Sequence, residues 1–138
     1  MNITIEQVQG LTFMAKGESN HWVAIDGPEK FNGSEAASRP MELLLMSLGG
    51  CSGSDVVSIL QKKRVSFDNM KILVTGERKD EHPKVFTSIH VQYIFYGKNL
   101  TEKDVKRAIE LSQNKYCPVV AMLKESCKIT HSYQIKTA

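Results

Sequence analysis

The sequence has no Cys-x-x-Cys and no His-x-x-x-His, so the spacings that build structural zinc sites are missing and no metal is expected. No glycine-rich phosphate loop and no Ser/His/Asp order stands out, and there are no internal repeats or low-complexity segments. The opening stretch Met1-Asn-Ile-Thr-Ile-Glu6 has neither a basic segment nor a long apolar one, so no signal peptide is expected. No uninterrupted run of about 18 apolar residues occurs, so no membrane span is expected either. The charge excess is small, +3 with an isoelectric point near 8.7, and its basic residues are dispersed, which argues against a nucleic-acid partner. The densest basic run, Lys62-Lys63-Arg64, falls where a helix should end, and cations there complement the helix dipole. Three cysteines are an odd number, and in the cytoplasmic setting these features suggest they are not static disulfides.

What is present fits one globular domain over residues 1–138, with 41% hydrophobic and 24% charged residues. Strands are expected at residues 3–8, 11–16 and 21–25, followed by a loop from Asp26 through Ser38. Pro40 then suits the first position of a helix running to about Gln61, apolar on nearly every face. A helix of that kind is buried all round, and a second copy of the chain would help to cover it. Gly49 and Gly50 inside it cost about 1 kcal/mol each against alanine, so some neighbouring backbone should approach closely there. Residues 70–78 and 84–96 read as an antiparallel hairpin. Thr101-Glu-Lys-Asp104 resembles a capping box opening a helix with Val105, Ala108, Ile109 and Ser112 on one face. A short helix from Cys117-Pro118 through Leu123 and a strand over 128–136 complete an α+β, antiparallel pattern.

The chemistry centres on two thiols. Only the thiolate attacks, so a reactive cysteine needs something that favours that form. Cys117 precedes Pro118 and so caps a helix N-terminus, a setting that can lower a thiol pKa; the bland alternative is a small buried cap residue. Cys51 lies about three turns into the long helix, among apolar residues that would raise its pKa. Taken alone it reads as a core cysteine, unless a cation such as Arg39, Lys16, Lys30 or a histidine reaches it. Glu42, nine residues earlier at about 100° per residue, falls on the opposite helical face, whereas Asp55 shares the face of Cys51. The four histidines are scattered, and Cys127 reads as packing.

The segment Arg39-Pro40-Met41-Glu42-Leu43-Leu44-Leu45-Met46-Ser47-Leu48-Gly49-Gly50-Cys51 resembles the helix signature of the OsmC/Ohr family, as does Tyr116-Cys117-Pro118-Val119, whose cysteine follows 66 residues later. The order of elements matches that family along nearly the whole chain. The resemblance implies antiparallel sheets wrapped around a long buried central helix in an intertwined homodimer, with active sites at the subunit interface. It implies reduction of organic hydroperoxides without a cofactor: Cys51 as the peroxidatic cysteine, Cys117 as the resolving cysteine, and an external dithiol as reductant. It also implies an arginine and a glutamate beside the thiol, for which Arg39 and Glu42 are the candidates. Two details depart from the family peroxidases. Met41 stands where they carry glutamate directly after the helix-starting proline, and no upstream loop arginine has a clear match. A non-enzymatic dimer binding a small apolar or thiol ligand, and a stoichiometric redox sensor, therefore stay open beside the peroxidase.

Overall fold

Period-two alternation in the first 25 residues gives three short strands, and the computed structural model, which describes residues 1–137, forms them as β1 (Thr4–Gln9), β2 (Thr12–Lys16) and β3 (Trp22–Ile25). The chain divides into two compact units, Met1–Leu44 and a second from Leu45 onward. In the first, the strands make an antiparallel sheet in the order β1-β2-β3, with Ile5 opposite Ala15 and Phe13 opposite Ile25. Every residue of β1 is exposed, including the apolar Ile5 and Val8.

The loop after β3 is organised by one carboxylate. Asp26 is 2% exposed and accepts hydrogen bonds from the N–H groups of Gly27 (2.7 Å), Ala36 (3.1 Å) and Ser34 (3.3 Å), and from Thr12 Oγ1 (3.0 Å). Those donors, the Gly27 N–H foremost, hold its carboxyl below the usual range. The loop includes a 3₁₀ turn, Glu29–Phe31, and returns to pair Asp26 N–H with the Ser38 carbonyl at 3.0 Å.

Helix α1 (Pro40–Lys62) starts as expected, with proline first. The Arg39 carbonyl takes the Leu43 N–H at 3.0 Å, and the Glu42 carboxylate reaches back to the Arg39 N–H at 2.9 Å. That is the reciprocal half of a capping box.

In the second unit α1 packs beside β4 (Asn69–Arg78), which pairs with β5 (Phe86–Tyr96), which pairs with β6 (Lys128–Lys136). β4 alternates exposed and half-buried residues, as an edge strand does, while β5 is largely buried because it lies in the middle. The wholly antiparallel sheet expected from the sequence needs correcting. β5 and β6 are parallel, with Ser88 opposite Lys128 and Tyr96 opposite Lys136. The reason lies in the connection, which holds α2 (Glu102–Leu111), a π-helical turn (Ser112–Tyr116) and α3 (Pro118–Leu123). A connection of that length is a crossover, and crossovers join parallel strands.

Thr101 caps α2 as expected, its Oγ1 accepting the Asp104 N–H at 3.2 Å, while the Asp104 carboxylate accepts from the Thr101 hydroxyl at 2.8 Å. Asp104 in turn pairs with Lys63 at 2.7 Å, which, with Thr101, holds its carboxyl below the usual range.

Within a single copy of the chain the burial of α1 is confined to one side. Its own chain covers one face, Leu48, Gly49, Ser52, Gly53, Val56 and Leu60, and leaves Met46 55% exposed. A methyl added at Gly53 would lie 2.6 Å from Ile72 Cδ1, and one at Gly49 would lie 3.1 Å from Val74 Cγ2, so both glycines admit β4. A methyl at Gly50, by contrast, would meet nothing within 4 Å among the described residues outside its own helix. α1 is long and apolar enough by composition to cross a membrane, with a mean hydropathy of 1.6, although charged and small residues interrupt its apolar run. Its face of glycines and serine packed on a sheet is that of a core helix.

Candidate functional site

The site lies within the second unit, where α1 meets the crossover. Cys51 is half-buried in the middle of α1, and Asp55 follows one turn later on the same face. The π-helical turn brings in the second thiol. Its five residues end with the Cys117 N–H bonded to the Ser112 carbonyl at 3.0 Å. The extra residue such a turn contains directs Ser112, Gln113 and Cys117 all into the interior. The Cys51 and Cys117 sulfurs and a carboxylate oxygen of Asp55 all lie within 4.8 Å of one another.

Cys117 is 3% exposed and caps α3 as foreseen, its sulfur accepting the Val120 N–H at 3.4 Å. The expected lowering of its pKa does not follow. Burial pushes the thiol up to about 11, hydrogen bonding to the Cys51 side chain adds to the rise, and the amides of Val120 and Val119 offset only part of it. Desolvation outweighs a cap on a helix of only six residues. Cys117 is therefore the thiol that burial keeps protonated beside Cys51.

A buried polar chain supports this pair. Gln113 Nε2 donates to Tyr93 Oη at 2.7 Å; Tyr93 Oη and Ser52 Oγ are bonded; Ser52 and Ser112 hydroxyls are 2.8 Å apart; Ser112 Oγ is 3.0 Å from Asp55 Oδ2. A carboxylate can only accept, and each hydroxyl has one proton. The direction is thereby fixed: Gln113 to Tyr93, Tyr93 to Ser52, Ser52 to Ser112, Ser112 to Asp55. Burial, first among several causes, keeps the Tyr93 hydroxyl protonated beyond the usual tyrosine range, which suits a donor.

Cys51, Cys117 and the helical face of Asp55 are legible in the sequence, whereas Ser52, Tyr93 and Gln113 join the site only through the fold. One signal was visible: Ser112 is a polar residue on an otherwise apolar helical face. Arg39 and Glu42 belong to the first unit. There the Arg39 guanidinium pairs with Glu35 at 3.3 Å and Glu42 caps the Arg39 N–H. Cys127 bonds the Leu123 carbonyl at 3.6 Å, and His90 lies between the hydroxyls of Thr130 (2.7 Å) and Ser132 (2.8 Å), as packing and satisfied residues do. A cavity of about 440 Å³ opens at Asp55, lined further by Ile59, Lys62, Lys63, Arg107 and Tyr116 among others.

Comparison with known proteins fits this geometry. Over its full length the chain is 42% identical to the protein YhfA of Escherichia coli (strain K12), covering all of both sequences. A hypothetical protein from Aquifex aeolicus VF5 has a crystal structure that superposes with a TM-score of 0.87 at 36% identity, over 99% of this chain and 96% of that one. An organic hydroperoxide resistance protein from Elizabethkingia anophelis shares the fold, with a TM-score of 0.70 at 13% identity over 97% of each chain. The family model for OsmC-like protein matches residues 32–132, the span that runs from the loop before α1 into the last strand. With the paired thiols on the long helix and the crossover, and with that match, the chain belongs to the OsmC-like protein family.

Proposed function

We propose that the protein reduces organic hydroperoxides by a two-thiol cycle. The observation that carries this reading is the approach of Cys51 and Cys117, whose sulfurs lie within 4.8 Å of each other although they are far apart in sequence. Cys51, the half-exposed thiol, attacks the outer peroxide oxygen as the thiolate. The O–O bond breaks, the alcohol leaves with a proton, and Cys51 becomes a sulfenic acid. Cys117, buried and still protonated, then condenses with it, releasing water and forming a disulfide. An external dithiol returns both sulfurs to thiols. Membership of a family whose fold is shared by organic hydroperoxide resistance proteins supports the substrate class.

The proposal includes a homodimer working in the reducing cytoplasm. The exposed apolar residues of the first sheet (Ile5, Val8, Trp22 and Val23) and the exposed Met46 on α1 are surfaces a second copy would cover. Light scattering of the purified chain reads the dimer directly. Arg39 and Glu42 enter as the residues that set the start of the reactive helix, through the contacts they make there.

The test is turnover of cumene hydroperoxide with dithiothreitol by the wild type, Cys51→Ser and Cys117→Ser. The wild type should cycle and Cys51→Ser should not. Cys117→Ser, given peroxide without added thiol, should stop at a sulfenic acid on Cys51 that dimedone traps. Equal background rates in all three proteins overturn the enzyme reading. A binding role without turnover then gains, since the cavity beside Asp55 is large enough to take a small ligand.

A further inference from the structure

The sequence has no metal-binding spacing, yet folding gathers three donors. Cys51 and Asp55 stand four residues apart on one face of α1, and Cys117 arrives from the crossover, so that two sulfurs and one carboxylate oxygen all lie within 4.8 Å of one another. We propose that, in the reduced protein, Cys51, Cys117 and Asp55 form a three-donor site for a thiophilic divalent cation, zinc above all. The site uses the same side chains as the two-thiol cycle but does not depend on turnover.

Donor chemistry, geometry and charge all favour this. Two thiolates with one carboxylate suit zinc, and exclude the hard cations that prefer oxygen alone. Zinc holds sulfur at about 2.3 Å and carboxylate oxygen at about 2.0–2.2 Å, which puts tetrahedral donors about 3.4–3.8 Å apart. The present separations, at most 4.8 Å, need to close by no more than about 1.0–1.4 Å, a shift within reach of side-chain torsions. The donors are also held from behind, as metal ligands are. Ser112 bonds the Asp55 carboxylate at 3.0 Å and the Val120 N–H bonds the Cys117 sulfur at 3.4 Å.

Binding exchanges two S–H protons for one divalent cation: Zn²⁺ joins two thiols and one carboxylate, two protons leave to solvent, and the complex carries one net negative charge. Lys62 and Arg107 line the cavity that opens at Asp55 and offset that charge, while Lys63 beside them is paired with Asp104 at 2.7 Å. The same cavity reaches the Asp55 donor, and three protein donors leave tetrahedral zinc a fourth position for water or a ligand.

Cobalt(II) serves as the spectroscopic probe, added to the reduced full-length protein under anaerobic conditions. The expected result is one ion per chain, with sulfur-to-cobalt charge-transfer absorption in the near ultraviolet that zinc abolishes by displacement. Cys51→Ser and Cys117→Ser should each lose that absorption, Asp55→Asn should bind at least tenfold more weakly, and Cys127→Ser should match the wild type. Absence of the absorption in the wild type, or its survival in either cysteine variant, overturns the site. Wild-type affinity in Asp55→Asn removes the carboxylate and with it the three-donor proposal. A second measurement needs no variant: saturating zinc should protect Cys51 from iodoacetamide, and a chelator should restore its reaction. Unchanged alkylation under zinc overturns the proposal whatever the variants do, and hydroperoxide turnover is not a readout in any arm.

Discussion

Ser112 Oγ donates a hydrogen bond to Asp55 Oδ2 at 3.0 Å, joining the π-helical turn that delivers one thiol to the helix that carries the other. Ser112 also meets the Ser52 hydroxyl at 2.8 Å, so the alignment of the thiols and the buried polar chain share one residue. That sharing makes the chain's individual links testable.

Tyr93→Phe removes the hydroxyl that accepts from Gln113 and bonds Ser52, leaving two buried polar groups without that partner. The expected cost is about 1–3 kcal/mol of folding stability, read from the denaturant midpoint. A neutral outcome would mean that Gln113 and Ser52 satisfy each other, for which their 3.4 Å contact is the available route.

Cys117, with its thiol pushed up to about 11, should stay unmodified when the native reduced protein is treated with iodoacetamide at pH 8 or so, and react once unfolded. Peptide mapping by mass spectrometry distinguishes it from Cys51 and Cys127. Prompt native alkylation of Cys117 near neutrality would contradict the assignment of Cys117 as the proton-holding thiol.

Two glycines should respond oppositely to alanine. Gly76 on β4 lies under the Phe86 ring, where an added methyl would come 2.5 Å from Phe86 Cε1, so Gly76→Ala should cost about 1–3 kcal/mol. A methyl at Gly50 would meet nothing within 4 Å among the described residues outside its own helix, so Gly50→Ala should gain up to about 1 kcal/mol from helix propensity. Denaturant unfolding checks both. A loss at Gly50 that grows with dilution would instead mark it as a contact between two copies.

Asp26 gives a pH dependence with a definite sign. Its carboxyl is held below its ordinary 3.8, chiefly by the Gly27 N–H, so its contribution is complete above that value. As pH falls through 3.8 the unfolded chain takes up a proton first, and the contribution is gone once pH drops below the folded value. The stability difference between wild type and Asp26→Asn should therefore shrink between about pH 5 and about pH 2. A constant difference across that range would show that the carboxylate's charge has no part in holding the loop.

Much of this was legible in the sequence, because local signals set it. Pro40 opens α1, Thr101 and Asp104 cap α2, Pro118 follows its cysteine cap, and the final strand runs over the expected residues. Strand direction was not legible, since nothing within Lys128–Lys136 states which neighbour it will join. The environment of Cys117 is hidden from the sequence for a related reason. Its dipole is a local property readable from Pro118, but its burial depends on α1 and the sheet, and burial prevails. Ser52, Tyr93, Ser112 and Gln113 are brought together from three elements by tertiary packing alone.

The parallel pairing of β5 with β6 has a kinetic consequence. Each ladder contact, from Ser88–Lys128 to Tyr96–Lys136, spans 40 residues of chain, so the sheet closes only after a loop-closure penalty that a hairpin never meets. The segment enclosed by that loop is the one that carries Cys117. The meeting of the two sulfurs is thus expected late in folding, and the rate at which a Cys51–Cys117 crosslink becomes possible would then serve as a clock for completion of the fold.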